Sequence, residues 1–161
     1  IDDEGIELAK KNGTYLDMDI YDEECIQEDG RKGNIPLDFL EHDREMGEVH
    51  RRNFTKALKA GVKMSFGTDL GVCPYGTSPK QFAFMVKYGM TPMQAIQAAT
   101  TNAADLLGHS NELGSIKPGK YADIVAVSGD PLADIRLLEN VEFIMKDGKV
   151  YKQAGAPACT Q

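Results

Sequence analysis

Apolar positions recur with two different spacings along this chain, and each change of spacing marks a new element. From Asp2 to Lys11, Ile6 with Leu8 or Ala9 fall on one side of a helix, and Asn12-Gly13 supplies the stop. Leu16, Met18 and Ile20 then alternate with Asp17 and Asp19, a period of two that predicts a strand over 14–20. Residues 22–36 are acidic and then contain Gly and Pro, which reads as a loop with room for a short helix. Leu37 to Ala60 has no internal proline and predicts a long helix ended by Gly61. Val62 to Phe66 is a second short strand, running into the turn Gly67-Thr68-Asp69-Leu70-Gly71. Ser78-Pro79 and Thr91-Pro92 each open a helix. The first is expected to bury Phe82, Met85 and Val86. The second places Met93, Ile96, Thr100, Ala103 and Leu107 on one stripe and stops at Gly108.

After Gly114 the pattern becomes β-like. Residues 122–127 predict a strand, and 141–151 predict two strands around Asp147-Gly148, the usual signal for a type I′ hairpin. Strand, helix, strand, helix, helix and then antiparallel β is an α/β order, read as the end of an α/β barrel followed by a small β unit. Residues 1–113 are assigned to the barrel and 114–161 to the β unit. The opening Ile1-Asp2-Asp3-Glu4-Gly5 enters a helical pattern directly, without Met, tag or signal segment, and is expected to be a cut within a longer protein.

Composition narrows the function. Acidic residues outnumber basic ones 25 to 18, a net charge of -7, which opposes broad attraction to nucleic acid or an anionic membrane. No run of 18 apolar residues exists to span a bilayer. The expectation is a soluble enzyme, its compartment open between cytoplasm and periplasm. Cys25, Cys73 and Cys159 are odd in number and share no CxxC spacing, so all three are expected as free thiols, with neither a disulfide framework nor a thiolate zinc site.

Three segments carry a resemblance. Gly61-Val-Lys-Met-Ser-Phe-Gly-Thr-Asp-Leu70, Met90-Thr-Pro-Met-Gln-Ala-Ile-Gln-Ala-Ala-Thr-Thr-Asn-Ala-Ala-Asp-Leu-Leu-Gly108 and Gly114-Ser-Ile-Lys-Pro-Gly-Lys-Tyr-Ala-Asp-Ile-Val-Ala-Val127 stand in this order and spacing. Together they resemble the metal-dependent amidohydrolase superfamily, especially Xaa-Pro dipeptidases and imidazolonepropionase-related enzymes. The resemblance covers nearly the whole chain. It implies a TIM (β/α)8 barrel of which this chain holds about strands 7 and 8 with their helices, followed by strands of a small β-sandwich domain. It also implies hydrolysis of an amide bond in a dipeptide or N-acyl amino acid by a metal-activated water. The superfamily equally contains deaminases and cyclic-amide hydrolases, and a non-catalytic binding protein could keep the same fold.

In that family an aspartate after the last barrel strand binds a divalent metal, commonly zinc, and handles the proton of the attacking water. The resemblance assigns this role to Asp69. From spacing alone Asp69 serves equally well as the cap of a turn. The family's other ligands are histidines at strand ends and a carboxylated lysine. His42 and His50 stand on the long helix and His109 follows a helix-ending glycine, so these three are read as solvated or structural, and the remaining ligands are expected before Ile1. Related dipeptidases place a tyrosine near the seventh strand, which makes Tyr21 a candidate donor to the tetrahedral oxyanion; ordinary packing at the rim is the alternative. Asp17 and Asp19 are unusual in such a strand. A buried carboxylate pair is costly, so at least one should face the cavity mouth or a cation. Asp19 is a candidate for recognising a basic substrate side chain, against the plainer reading of a solvated strand-end carboxylate.

Two other motifs are set aside. Gly114 to Lys120 has the spacing of a phosphate loop, but Tyr121 stands in place of Ser or Thr and a strand follows where a helix is required. Asp22-Glu23-Glu24 lacks the glycine of an EF-hand loop and reads as solvated. The expected partners are a small peptide or N-acyl amino acid, plus a second copy of the chain or the missing half of the barrel to cover its open strands.

Overall fold

The computed structural model describes residues 1–33, 35–153 and 155. Helix α1 (Asp3–Asn12) starts at Asp2, whose carboxylate accepts the Gly5 N–H at 2.9 Å, and ends at Gly13 in the left-handed conformation. It leads into β1 (Tyr15–Met18), which pairs in parallel with β2 (Lys63–Phe66). The crossover between them is α2 (Asp22–Arg31) and α3 (Leu37–Ala60), so the four elements form a β-α-β unit. Helix α3 has the boundaries its sequence predicts. Residues 22–31 do not: ten of them are helical where a loop with at most a short helix was expected.

Beyond β2, α4 (Lys80–Lys87) follows Pro79, and α5 (Pro92–Gln97) opens at Thr91 with a reciprocal capping box to Gln94. The helix predicted to run on from Thr91 to Leu107 is interrupted. A π turn over Ala98–Asn102 separates α5 from α6 (Ala103–Leu106). The wider turn shifts the helical phase, so the buried positions are Ala95, Ala98 and Ala104, while Met93 and Leu107 of the predicted stripe face solvent. Thr100 and Thr101 turn their hydroxyls back onto the Ile96 and Gln97 carbonyls, and the Asn102 side-chain amide donates to the Met64 carbonyl at 2.9 Å.

The C-terminal part holds an antiparallel sheet, β3 (Ile124–Ala126), β4 (Phe143–Lys146) and β5 (Lys149–Lys152), in that order. Asp147 and Gly148 both have positive φ, 48° and 75°, as a type I′ hairpin requires. A short 3-10 turn, Ile135–Glu139, starts at Asp134 and packs on α4.

The main core lies between the β1–β2 pair and the helices. Met18, Ile20 and Met64 from the strand segments meet Ile6, Ala9, Phe54, Ala57, Met85 and Ala98. Strand alternation turns Asp17, together with Ser65, to the opposite face, where Gly67 also comes close to the Asp17 carboxylate. There the Ser65 hydroxyl donates to Asp17 at 2.6 Å across the register pair. One face of the sheet is thus apolar under helices, and the other is polar.

Candidate active site

The C-terminal ends of β1 and β2 bring the candidate residues to one edge. The last register pair is Met18 with Phe66, and Tyr21 and Asp69 are each the third residue beyond it. Asp69 is exposed and has φ 38°, a left-handed conformation that a non-glycine residue rarely adopts. Its carbonyl accepts the Val72 N–H at 3.1 Å, closing the turn, and its side chain is left free of any ion pair among the described residues.

Both strand ends are fixed by Gln81, a completely buried side chain on α4. Its Nε2 donates to the Met18 carbonyl at 2.7 Å and the Gly67 carbonyl at 2.9 Å, and its Oε1 accepts the Ile20 N–H at 3.1 Å. Sequence reading assigned Phe82, Met85 and Val86 to this helix's core and passed over Gln81. Its position one turn ahead of Met85 is the signal that could have placed it on the buried face.

Tyr21 is buried at the start of α2, its ring edge-on to Phe84 with centroids 5.2 Å apart. Its hydroxyl is buried without a hydrogen bond of good geometry among the described residues, but the Lys80 ammonium stands beside it, 5.6 Å from the ring centroid, and the hydroxyl holds the Lys80 ammonium above its usual pKa. Below the ring, Cys25 and Cys73 are joined in a disulfide. The expectation of free thiols is therefore wrong for these two. An odd cysteine count and sequence separation say nothing about proximity, and it is the helical first turn of α2 that brings Cys25 to the β2 loop. Cys159 lies outside the described residues.

Asp19 is joined by two residues that its sequence position did not suggest. Asp22 from the start of α2 and His50 from the middle of α3 place ligand atoms within 4.8 Å of one another and of Asp19. All three are half-buried, and neither aspartate has an ion-pair partner among the described residues. Burial, and then the Asp19 charge, pushes the Asp22 carboxyl above its usual range. His50, read as solvated or structural, thus faces two carboxylates. His42 is exposed, and His109 pairs with Glu112 at 2.7 Å. The neighbouring Glu23, read as solvated, is instead buried and pairs with Arg51 at 2.5 Å. Burial raises its carboxyl above the usual range, and Arg51 only partly offsets this.

A divalent cation at the strand ends can be tested against these residues. Asp69 presents an open carboxylate and fits as one ligand, whereas a catalytic centre needs about three protein ligands. Among the described residues the one trio with ligating spacing is Asp19, Asp22 and His50, so the further ligands of an Asp69 centre are not in this set. The phosphate-loop spacing at 114–120 stays rejected. Lys120 is spent on the Ser110 and Leu113 carbonyls at 2.6 and 2.8 Å.

Comparison with known proteins gives consistent matches. The profile of the Amidohydrolase family matches residues 1–152. Ochratoxinase of Aspergillus niger is 36% identical over 115 residues, which are 68% of this chain and 24% of that protein. Imidazolonepropionase of Geobacillus kaustophilus (strain HTA426) is 34% identical over 109 residues, 62% of this chain and 25% of that protein. A crystal structure of a Xaa-Pro dipeptidase with bound methionine in the active site superposes with a TM-score of 0.87 at 42% identity, over 94% of this chain and 38% of that one. The chain spans about a quarter of the length of the curated relatives it matches. No described helix is long and apolar enough to cross a membrane.

Proposed function

This chain belongs to the amidohydrolase family, and on that footing we propose that the whole protein hydrolyses an amide bond in a dipeptide or N-acyl amino acid. In this reading β1 and β2 are the seventh and eighth strands of a (β/α)8 barrel, residues 114–161 belong to its small β domain, and the site opens at the strands' C-terminal ends. Further strands of the whole protein, or a second copy, cover the open edges of β1 and β2. The observation that carries the reading is Asp69, held exposed and at φ 38° in the turn that ends β2.

A divalent cation, with zinc as the first candidate, would polarise the scissile carbonyl and acidify a water, with Asp69 as one of its ligands. Asp69 takes the proton of the attacking water and passes it to the leaving nitrogen, a role for which an open, solvent-facing carboxyl group is suited. The Tyr21 hydroxyl, with the Lys80 ammonium beside it, is the donor toward the carbonyl oxygen as negative charge develops there. Asp19, which shares its surroundings with Asp22 and His50 at the same edge, attracts a basic substrate side chain.

Asp69→Asn in the full-length, metal-loaded protein tests this. The amide keeps the size of the side chain and loses its basicity, so kcat should fall by on the order of 10²-fold or more while KM changes little. Near wild-type kcat with metal still bound would make Asp69 a turn residue and remove the mechanism.

A further inference from the structure

Tyr21 and Asp69 each stand four residues ahead of one half of the Cys25–Cys73 disulfide. On the Tyr21 side those four residues are the first turn of α2, and the ring packs directly on the two sulfur-bearing side chains. On the Asp69 side they form an irregular loop. Between Phe66 and Lys80 there is no helix or strand, only a bridge from Leu70 to Cys73. From Asp69 to Gly76 every residue is exposed except Cys73, which is 6% exposed. Leu70, Val72 and Tyr75 are large apolar side chains facing solvent, so they contribute nothing to holding this loop. The covalent bond is the anchor of the loop that begins at Asp69, and Asp69 needs one, because its left-handed backbone is unfavourable for an aspartate.

We propose that the Cys25–Cys73 disulfide is a positioning device for the catalytic edge. It clamps the Asp69 loop to the first turn of α2, so that Asp69 and Tyr21 keep a fixed mutual placement. Opening the bond frees Asp69 to leave its strained turn while the core under β1 and β2 stays folded. This rests on the role given above to Asp69 in the whole enzyme. Cys25 and Cys73 touch neither substrate nor reacting atoms in this account; they act through Asp69 and Tyr21.

The test uses the full-length, metal-loaded enzyme with tris(2-carboxyethyl)phosphine as reductant. The phosphine takes an oxygen from water to become the phosphine oxide, and its two electrons with the two protons of that water convert the S–S bond into two thiols. Mass analysis after alkylation should count two new thiols on reduction. We expect kcat to fall about tenfold and a chelator to withdraw the metal about tenfold faster, with KM within about twofold. Reoxidation should restore all three. The Cys25→Ser/Cys73→Ser variant should match the reduced enzyme and ignore the phosphine, which separates loop release from stripping of metal by the reagent. If that variant does not fold, the reduction and reoxidation of the wild type decide alone.

Reduction that lowers only the melting temperature, leaving kcat and the chelation rate unchanged, overturns the proposal and makes the bond purely structural. Alkylation of both cysteines without reductant overturns it as well. An Asp69→Asn enzyme that remains active removes the premise. An inactive Asp69→Asn enzyme beside a reduction-insensitive wild type rejects the clamp alone.

Discussion

Gln81 accepts the backbone N–H of Ile20 at 3.1 Å, and through its other two bonds it spans the ends of both parallel strands. A side-chain amide has one acceptor and two donors to offer, and here all three are used on groups that β-pairing no longer satisfies past Met18 and Phe66. The amide therefore sets how far the strands separate where Asp19, Tyr21 and Asp69 emerge.

Gln81→Leu keeps the volume and leaves the Ile20 N–H with the Met18 and Gly67 carbonyls unmatched. Each buried unmet group costs about 1–3 kcal/mol, so the full-length protein should lose about 3 kcal/mol or more. Its kcat should fall as well, because both strand ends move. Unchanged melting and turnover would show that water replaces the amide and that Gln81 is incidental.

Much of the fold was legible because it rests on local signals. Gly61 takes φ 79° and ends α3 where the pattern stops, and Asp147-Gly148 turns the hairpin its sequence names. What was missed depends on partners distant in sequence. Helix α2 buries Glu23 on Arg51 and Cys25 on Cys73, contacts that no window around residue 25 contains. At the break over Ala98–Asn102 the Asn102 side chain reaches Met64, far away in sequence, while the apolar stripe through it reads as one continuous helix. In the candidate site, the turn that holds Asp69 was legible from its flanking glycines after a strand, whereas the role given to Asp69 came from the family resemblance. His50 was not, because a histidine inside a 24-residue helix carries no mark of the strand end it will face.

Gly47 lies where α3 crosses α2, and a Cβ there would overlap the Glu23 carboxylate. In an ordinary helix interior, Gly→Ala gains about 1 kcal/mol. Here the methyl would push Glu23 off Arg51, and parting a buried ion pair costs about 3–5 kcal/mol. Gly47→Ala should therefore destabilise the full-length protein by about 2–4 kcal/mol, measured by denaturant titration. A stabilised variant would mean that Glu23 has somewhere else to go.

Asp22 and Glu23 both have carboxyls raised above the usual range, in each case first by burial. The folded state then holds more protons than the unfolded chain over the interval between the ordinary and the raised values. Their contribution to stability is present in full below about pH 4 and is lost as pH rises through the folded values. Asp22 faces Asp19 and His50, with Asp43 and Glu23 close by, so its neutralisation removes the largest repulsion at this edge. Asp22→Asn retains the acceptor for the Glu23 N–H and should flatten the fall in melting temperature as pH rises above about 4. Superimposable pH profiles for variant and wild type would remove Asp22 from the account.

Asp19 separates recognition from chemistry. It shares its surroundings with Asp22 and His50, whereas Asp69 stands at the end of the other strand, so its charge can be removed without touching the proton path. Asp19→Asn should raise KM for substrates carrying arginine or lysine by about tenfold while leaving kcat, and the KM of neutral substrates, within about twofold. Asp22→Asn should give a smaller change of the same kind, because Asp22 also serves the Glu23 N–H. An equal loss on basic and neutral substrates would place Asp19 in the general architecture of the strand end. A fall in kcat alone would instead move it into the catalytic set beside Asp69.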